Sequence, residues 1–338
     1  MNPAFQGLLT IIVGVGGCLG YFYLSNLFLD KVLFPARGPN IGRNINRANQ
    51  IRPWLFIFPA FFALSLYLAY PVVETLRLSL TERVALGDGK FRFEWIGFDN
   101  YRQMFGEPKF WEALRNNMLW LFVVPAASTA LGLLVAQLTD RIRWGAVAKS
   151  IIFMPMAISF VGASVIWKLV YDIRPEGVDQ IGLLNAVVVA FGGEPSTWLT
   201  IPFWNNFFLM IVLIWIQTGF AMVILSAALR GIPEETIEAA IVDGANPFQV
   251  FFKIKMPQIA GTIVVVWTTI TLVVLKVFDI VFAMTNGQWQ TQVLANYMFD
   301  KLFRGSDWGV GSAAAMVIMV LVLPILWWNV RSARREMQ

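Results

Sequence analysis

Residues 204–228 read WNNFFLMIVLIWIQTGFAMVILSAA, and residues 230–261 just beyond them read RGIPEETIEAAIVDGANPFQVFFKIKMPQIAG. The first stretch holds no Asp, Glu, Lys or Arg and is long enough to cross a bilayer as a helix, which needs roughly 20 mostly apolar residues. Only a helix or a closed barrel satisfies its own backbone in lipid, and this run is too long and too evenly apolar for a strand. The second stretch is polar, acidic at its start and basic at its end. A membrane span leading into a structured loop is the unit from which the rest of the chain is read.

Working outward, six more stretches of the same kind occur at about 8–29, 53–73, 117–138, 150–171, 262–284 and 311–330. Clusters of Pro, Gly and Asn punctuate the gaps. A shorter apolar stretch at 181–191 is too short to span and suits the membrane interface. Over the 338 residues, 57% are hydrophobic and 14% charged, against about 25% charged in soluble domains. The 14 Trp and 28 Phe suit a protein whose aromatic rings line both bilayer interfaces. The expected fold is therefore an all-α, polytopic transmembrane bundle. No internal duplication is visible, and a net charge of +5 spread over loops gives no reason to expect nucleic acid as a partner.

Basic residues set the orientation. Lys31, Arg37, Arg43, Arg47 and Arg52 follow the first span against one acid, Asp30; Arg141, Arg143 and Lys149 lie after the third; Arg331, Arg334 and Arg335 form the tail. With seven spans all three groups share a face, and the positive-inside rule puts the amino terminus outside and the carboxyl terminus in the cytoplasm. The loop 74–116 is balanced in charge. Residues 1–7 lack Lys and Arg, the wrong start for a cleaved signal peptide, and Val15-Gly16-Gly17-Cys18 only weakly mimics a lipoprotein site, so the first span is expected as a retained anchor.

The chain contains no His and one Cys, Cys18. Imidazole acid–base chemistry, Ser–His triads, imidazole metal sites and thiolate clusters are excluded together. No phosphate-binding loop is present: the nearest run, Gly145 to Lys149-Ser150, has Ala148 where the second Gly belongs. A membrane enzyme therefore lacks a constellation to work with.

Residues 230–261 predict two short helices joined by a tight turn. Pro233 suits a first helical turn, and Glu234 and Glu235 complement the helix dipole. Ile237, Ala240 and Ile241 share a stripe, and Asp243-Gly244 ends the helix. Asn246-Pro247 restarts it as cap and first position, Phe248, Phe251 and Phe252 are expected on one face, and Met256-Pro257 is expected to stop it. Taken alone, such a segment could simply cover the membrane surface.

Its spacing resembles the signature of the inner-membrane permeases of ATP-binding-cassette (ABC) importers: Glu238-Ala239-Ala240, then Gly244, then Ile254-Lys255-Met256-Pro257, with Met256 where Leu is usual. The resemblance implies a six-helix permease core, with residues 8–29 as an added span. The domains are then 1–52, an anchor with a basic linker, and 53–338, the permease domain. It implies that the loop couples to an ATPase through Glu238, Ala239, Ala240, Gly244, Ile254 and Pro257. It also implies the partners: a second permease, an ATPase dimer that binds the ATP and Mg²⁺ (no cofactor in this chain), a periplasmic or lipid-anchored sugar-binding protein, and lipid. The location implied is the bacterial inner membrane.

Arg52-Pro53-Trp54 with Tyr70-Pro71, Asn116-Asn117, and Phe278-Asp279-Ile280 through Met284-Thr285-Asn286-Gly287 to Trp308-Gly309-Val310-Gly311-Ser312-Ala313 are similar to the maltose and α-glucoside branch of that family. In register with the branch's sugar contacts stand Gln217 and Phe220, while Val273, Val274 and Val277 depart from it by offering no hydrogen bonds. Lys276 and Asp279, three apart in an apolar stretch, are expected to pair on one helix face, either lining the path or locking helices. Lys168, near the end of its span, is expected to snorkel. The competing reading is an ion-coupled secondary transporter, which calls for repeated halves and more deep titratable groups.

Overall fold

The long apolar runs form helices, some of which continue through internal prolines such as Pro125 and Pro324, while two are bent at short breaks. The computed structural model describes residues 3–35, 41–87, 90–140, 142–175 and 177–336. Arg37 and Arg141 lie outside these residues, and the side chains of Arg334 and Arg335 are likewise not described. Among the described residues, five helices are long and apolar enough to cross a membrane, and two bent pairs raise the number to seven if each pair is one span.

The chain divides into two units, Met1–Glu74 and Thr75–Gln338. The first holds α1 (Pro3–Phe28), ending in a π turn, Leu29–Leu33, and most of α2 (Ile41–Ser79). Within it Arg52 grips Asp30 through two hydrogen bonds of 2.8 and 2.9 Å and also donates to Asn26. Phe22 stacks on Phe56, and Tyr21 donates to the Leu55 carbonyl. Residues 53–74 thus pack with the amino-terminal helix.

The second unit continues through an antiparallel hairpin, β1 (Thr81–Gly87) and β2 (Lys90–Trp95), pairing Thr81 with Trp95 and Arg83 with Phe93. The alternation Phe91, Phe93, Trp95 is its sequence signal; within a long charge-balanced loop it went unread. Then come α3 (Asp99–Gly106), α4 (Pro108–Thr139), α5 (Gly145–Phe153) and α6 (Phe160–Val170). The expected span 150–171 is bent by 105° between α5 and α6, where Met154–Ala157 tightens to a 3₁₀ turn and Ser159 caps the new helix. The short apolar stretch forms α7 (Leu183–Ala190).

Next follow α8 (Trp204–Arg230), α9 (Glu234–Val242), α10 (Pro247–Gln258), α11 (Ala260–Leu275), α12 (Asp279–Met284), α13 (Leu294–Phe299) and α14 (Trp308–Glu336). The main core joins α4, α8 and α11 around Trp120, Leu213, Met222, Leu225 and Ile270. A second cluster, Met104, Phe110, Tyr297 and Val310 among others, joins α3, the start of α4, α13 and α14. Close approach of α4 to α8 requires Gly132, which lies against Ala221 and the Met222 backbone.

The expected span 262–284 is not one helix. It ends at Leu275, and α12 starts at Asp279. At the break Phe278 leaves helical geometry, half-buried, with its ring against Phe282 and Phe299.

Candidate functional site: the loop 231–258 and the two ends of the bundle

The loop folds close to its local signals. Helix α9 ends in a Schellman motif: the Ala245 N–H donates to the Ala240 carbonyl and the Gly244 N–H to the Ile241 carbonyl. Gly244 sits at φ +83° with open space around it, so the glycine serves the backbone conformation and not a tight contact. Asn246 and Gln249 form a reciprocal capping box at 2.8 and 2.9 Å.

Four local expectations need correction. Pro233 is the N-cap, just ahead of the helix rather than inside it. Met256-Pro257 does not itself end the second helix: α10 runs one residue past Pro257, to Gln258, and turns by 70° into α11. The three phenylalanines do not share one environment, because a π turn over Val250–Lys255 shifts their phase. Phe251 packs on the core whereas Phe248 and Phe252 face out.

The inward stripe is Ile232, Ile237, Ala240, Val250, Phe251 and Ile259. The outward face carries Glu238, Ala239, Gly244 and Pro257, all exposed, with Ile254 half-buried. Around them lie Ile241, 58% exposed rather than sharing the stripe, Val242 at 86% and Phe248 at 76%. Ile241, Val242 and Phe248 thus form an exposed apolar patch on a well-capped loop.

Where α8 and α4 meet this loop, one carboxylate gathers three elements. Asp140 Oδ1 accepts from Ser226 at 3.0 Å, from Arg230 Nε and Nη2 at 3.1 Å, and from Lys149 of α5. Burial pushes this carboxyl up, but the hydrogen bonds from Lys149 and Ser226, the Lys149 charge and Arg230 outweigh it and hold the group below its ordinary range. Three residues earlier on α4, Gln137 accepts from Lys255 at 3.3 Å.

At the opposite end, four asparagines hold the segment 285–294. Asn116 donates to the carbonyls of Gln290 and Gln292 at 2.9 and 2.8 Å, and Asn117 accepts from the Leu294 N–H at 2.7 Å. Asn205 and Asn206 donate to Trp289 and Gln290. The segment needs these bonds because Asn286, Trp289 and Gln290 all adopt positive φ. Neither cluster was read from the sequence as a site. The paired asparagines at the starts of two apolar runs were the available signal for one; in the other, Ser226 and Arg230 reach Asp140 from 86 and 90 positions away.

The pathway candidates separate into two places. Gln217 is buried and Phe220 half-buried, both on α8 against the core. Lys276 and Asp279 line a cavity of about 320 Å³ with Phe160, Leu213, Val273 and Val277, and Gln217 and Phe220 do not line it. The expected Lys276–Asp279 pair is absent, because the helix that should have carried both is broken between them. Each charge instead sits where a helix dipole favours it, Lys276 at the end of α11 and Asp279 at the start of α12. Lys168 lies exposed in the last turn of α6.

Against this geometry, a model of the family described as the binding-protein-dependent transport system inner membrane component matches residues 128–337. The chain belongs to that family. It is an ABC importer permease subunit, an inner-membrane transport component and not an enzyme. This permease is 61% identical over 340 residues, 99% of each chain, to the alpha-glucoside transport system permease protein AglF of Rhizobium meliloti (strain 1021). It is 48% identical over 282 residues to the osmoprotective compounds uptake permease protein GgtC of Synechocystis sp., covering 83% of this permease and 99% of that one. A chain of a bacterial alginate ABC transporter, solved with an alginate pentasaccharide-bound periplasmic protein, shares the fold at a TM-score of 0.72 and 20% identity, over 88% of this chain and 99% of that one.

Proposed function

We propose that this permease imports α-glucosides such as maltose, sucrose or trehalose, and that its loop 231–258 carries the work of ATP hydrolysis into the membrane. The 61% identity to an α-glucoside permease over the full length supports the substrate class. The outward face built by Glu238, Ala239 and Gly244, with Val242 and Phe248 exposed beside it, is the observation that carries the coupling role. Such a helix fits a groove on an ATPase subunit: Ala239 allows close approach, Gly244 sets the turn that presents it, and Glu238 orients the contact at its rim. Ile254 and Pro257 set the return of the chain to the membrane.

In this reading ATP and Mg²⁺ belong to an ATPase dimer, a second permease completes the pathway, and a periplasmic or lipid-anchored sugar-binding protein delivers substrate. The amino terminus faces outside and the loop faces the cytoplasm. Sugar passes between alternating states, with the Lys276–Asp279 cavity and the α8 positions Gln217 and Phe220 as the candidate path. A neutral substrate asks of Lys276 hydrogen bonds to hydroxyls rather than charge.

The test is uptake of labelled maltose, sucrose and trehalose into vesicles holding the whole complex, with ATP inside and binding protein outside. Uptake should require both. The double variant Glu238→Lys, Gly244→Asp should lose ATPase co-purification and uptake; survival of both overturns the coupling role. Lys276→Met with ATPase association intact should reduce uptake, and unchanged uptake removes that cavity from the path.

A further inference from the structure

One turn of α4 holds both ends of the loop 231–258. On the entering side, Arg230 and Ser226 at the end of α8 bond to Asp140; on the leaving side, Lys255 in α10 bonds to Gln137. Asp140 and Gln137 lie three residues apart, hence on the same face of a helix. The grip is desolvated on the Asp140 side: the Asp140 and Lys149 side chains are 19% and 15% exposed, whereas Arg230 is 66% exposed, so the contacts with Ser226 and Lys149 resist competition from water better than the one with Arg230 does. From Gln137, α4 runs back over about 21 residues, roughly 32 Å at 1.5 Å per residue, to Asn116 and Asn117, which hold the strained segment 285–294. Along that length it is wedged on α8 through Gly132.

We propose that Gln137 and Asp140 are positioning residues that lock the loop to α4, so that α4 and α8 move with the loop as one strut and carry its displacement to the segment 285–294 at the far end. The proposal rests on the loop meeting the ATPase. Its distinctive content is that the joint between loop and α4 stays closed throughout the cycle. A loop that instead slid past α4 would have to break the Lys255–Gln137 and Arg230–Asp140 contacts at every turnover.

The test uses the complete transporter with Cys18→Ala and a spin label at Gln288→Cys, an exposed position in the far segment. ATP should shift the label spectrum in the parent. The variant Gln137→Ala, Asp140→Asn should still co-purify with the ATPase yet lose the ATP-driven shift and about tenfold of the uptake, a coupling energy of the ordinary size; Asp140→Glu should retain both. A shift that persists in the double variant overturns the proposal. In a second arm, Gln137→Cys and Lys255→Cys are joined by a short thiol cross-linker. Uptake within about twofold of the unlinked protein is expected of a joint that never opens, and a block on cross-linking overturns it even if the first variant fails to assemble. Failure of the coupling role itself reads differently: the Glu238→Lys, Gly244→Asp variant would keep its ATPase.

Discussion

Gly132 of α4 lies so close to α8 that a methyl group added to it would stand 2.4 Å from the Cβ of Ala221 and 2.9 Å from the Met222 nitrogen. Both helices are rigid backbone at that point, so nothing nearby can yield. The two long helices behave as one packed pair because a side chain is missing there. Gly132→Ala should therefore destabilise the detergent-solubilised protein by about 1–3 kcal/mol, the ordinary cost of overpacking. Gly132→Val should cost more, read as a fall in unfolding midpoint.

Gly244 makes the opposite case. Its Cβ position is empty, and its φ of +83° is the only obstacle to a side chain. Gly244→Ala should cost about 1–2 kcal/mol through left-handed backbone alone, and Gly244→Asn less, since Asn tolerates that region. ATPase co-purification across Ala, Asn and Val should fall in the order Asn, Ala, Val, following backbone strain rather than side-chain volume.

Asn117 is fully buried and supplies the acceptor for the Leu294 N–H. Asn117→Ala leaves that group without a partner, at a cost of about 1–3 kcal/mol. Limited proteolysis should cut the segment 285–294 faster in the variant than in the parent, while cutting elsewhere is unchanged.

Asp140 predicts a pH dependence with a definite sign. Its carboxyl is held below the ordinary value of 3.8 in the folded protein, so its contribution to stability is present above that value and is lost as pH falls through the folded pKa. The gap in unfolding midpoint between parent and Asp140→Asn should be constant near neutrality and close only below about pH 4. A gap that closed near pH 6 would mean that some other group governs it.

The sequence by itself determined the all-helical membrane character, the turn chemistry of the loop and the family. Those depend on short-range rules: lipid demands long apolar helices, Gly244 serves a left-handed turn, and Asn246 caps the helix after it. Three things were decided only by tertiary structure. The span expected at 262–284 breaks between Leu275 and Asp279, where Phe278 sits against Phe282 and Phe299, and the pair expected between Lys276 and Asp279 is lost with the helix that was to carry it. Asp140 became a joint because helix packing brought it to Lys149, Ser226 and Arg230. Contacts such as those of Asp140 with Ser226 and Arg230, 86 and 90 positions away, leave no periodic trace in the sequence, and their free energy exists only once the helices that bear them have packed.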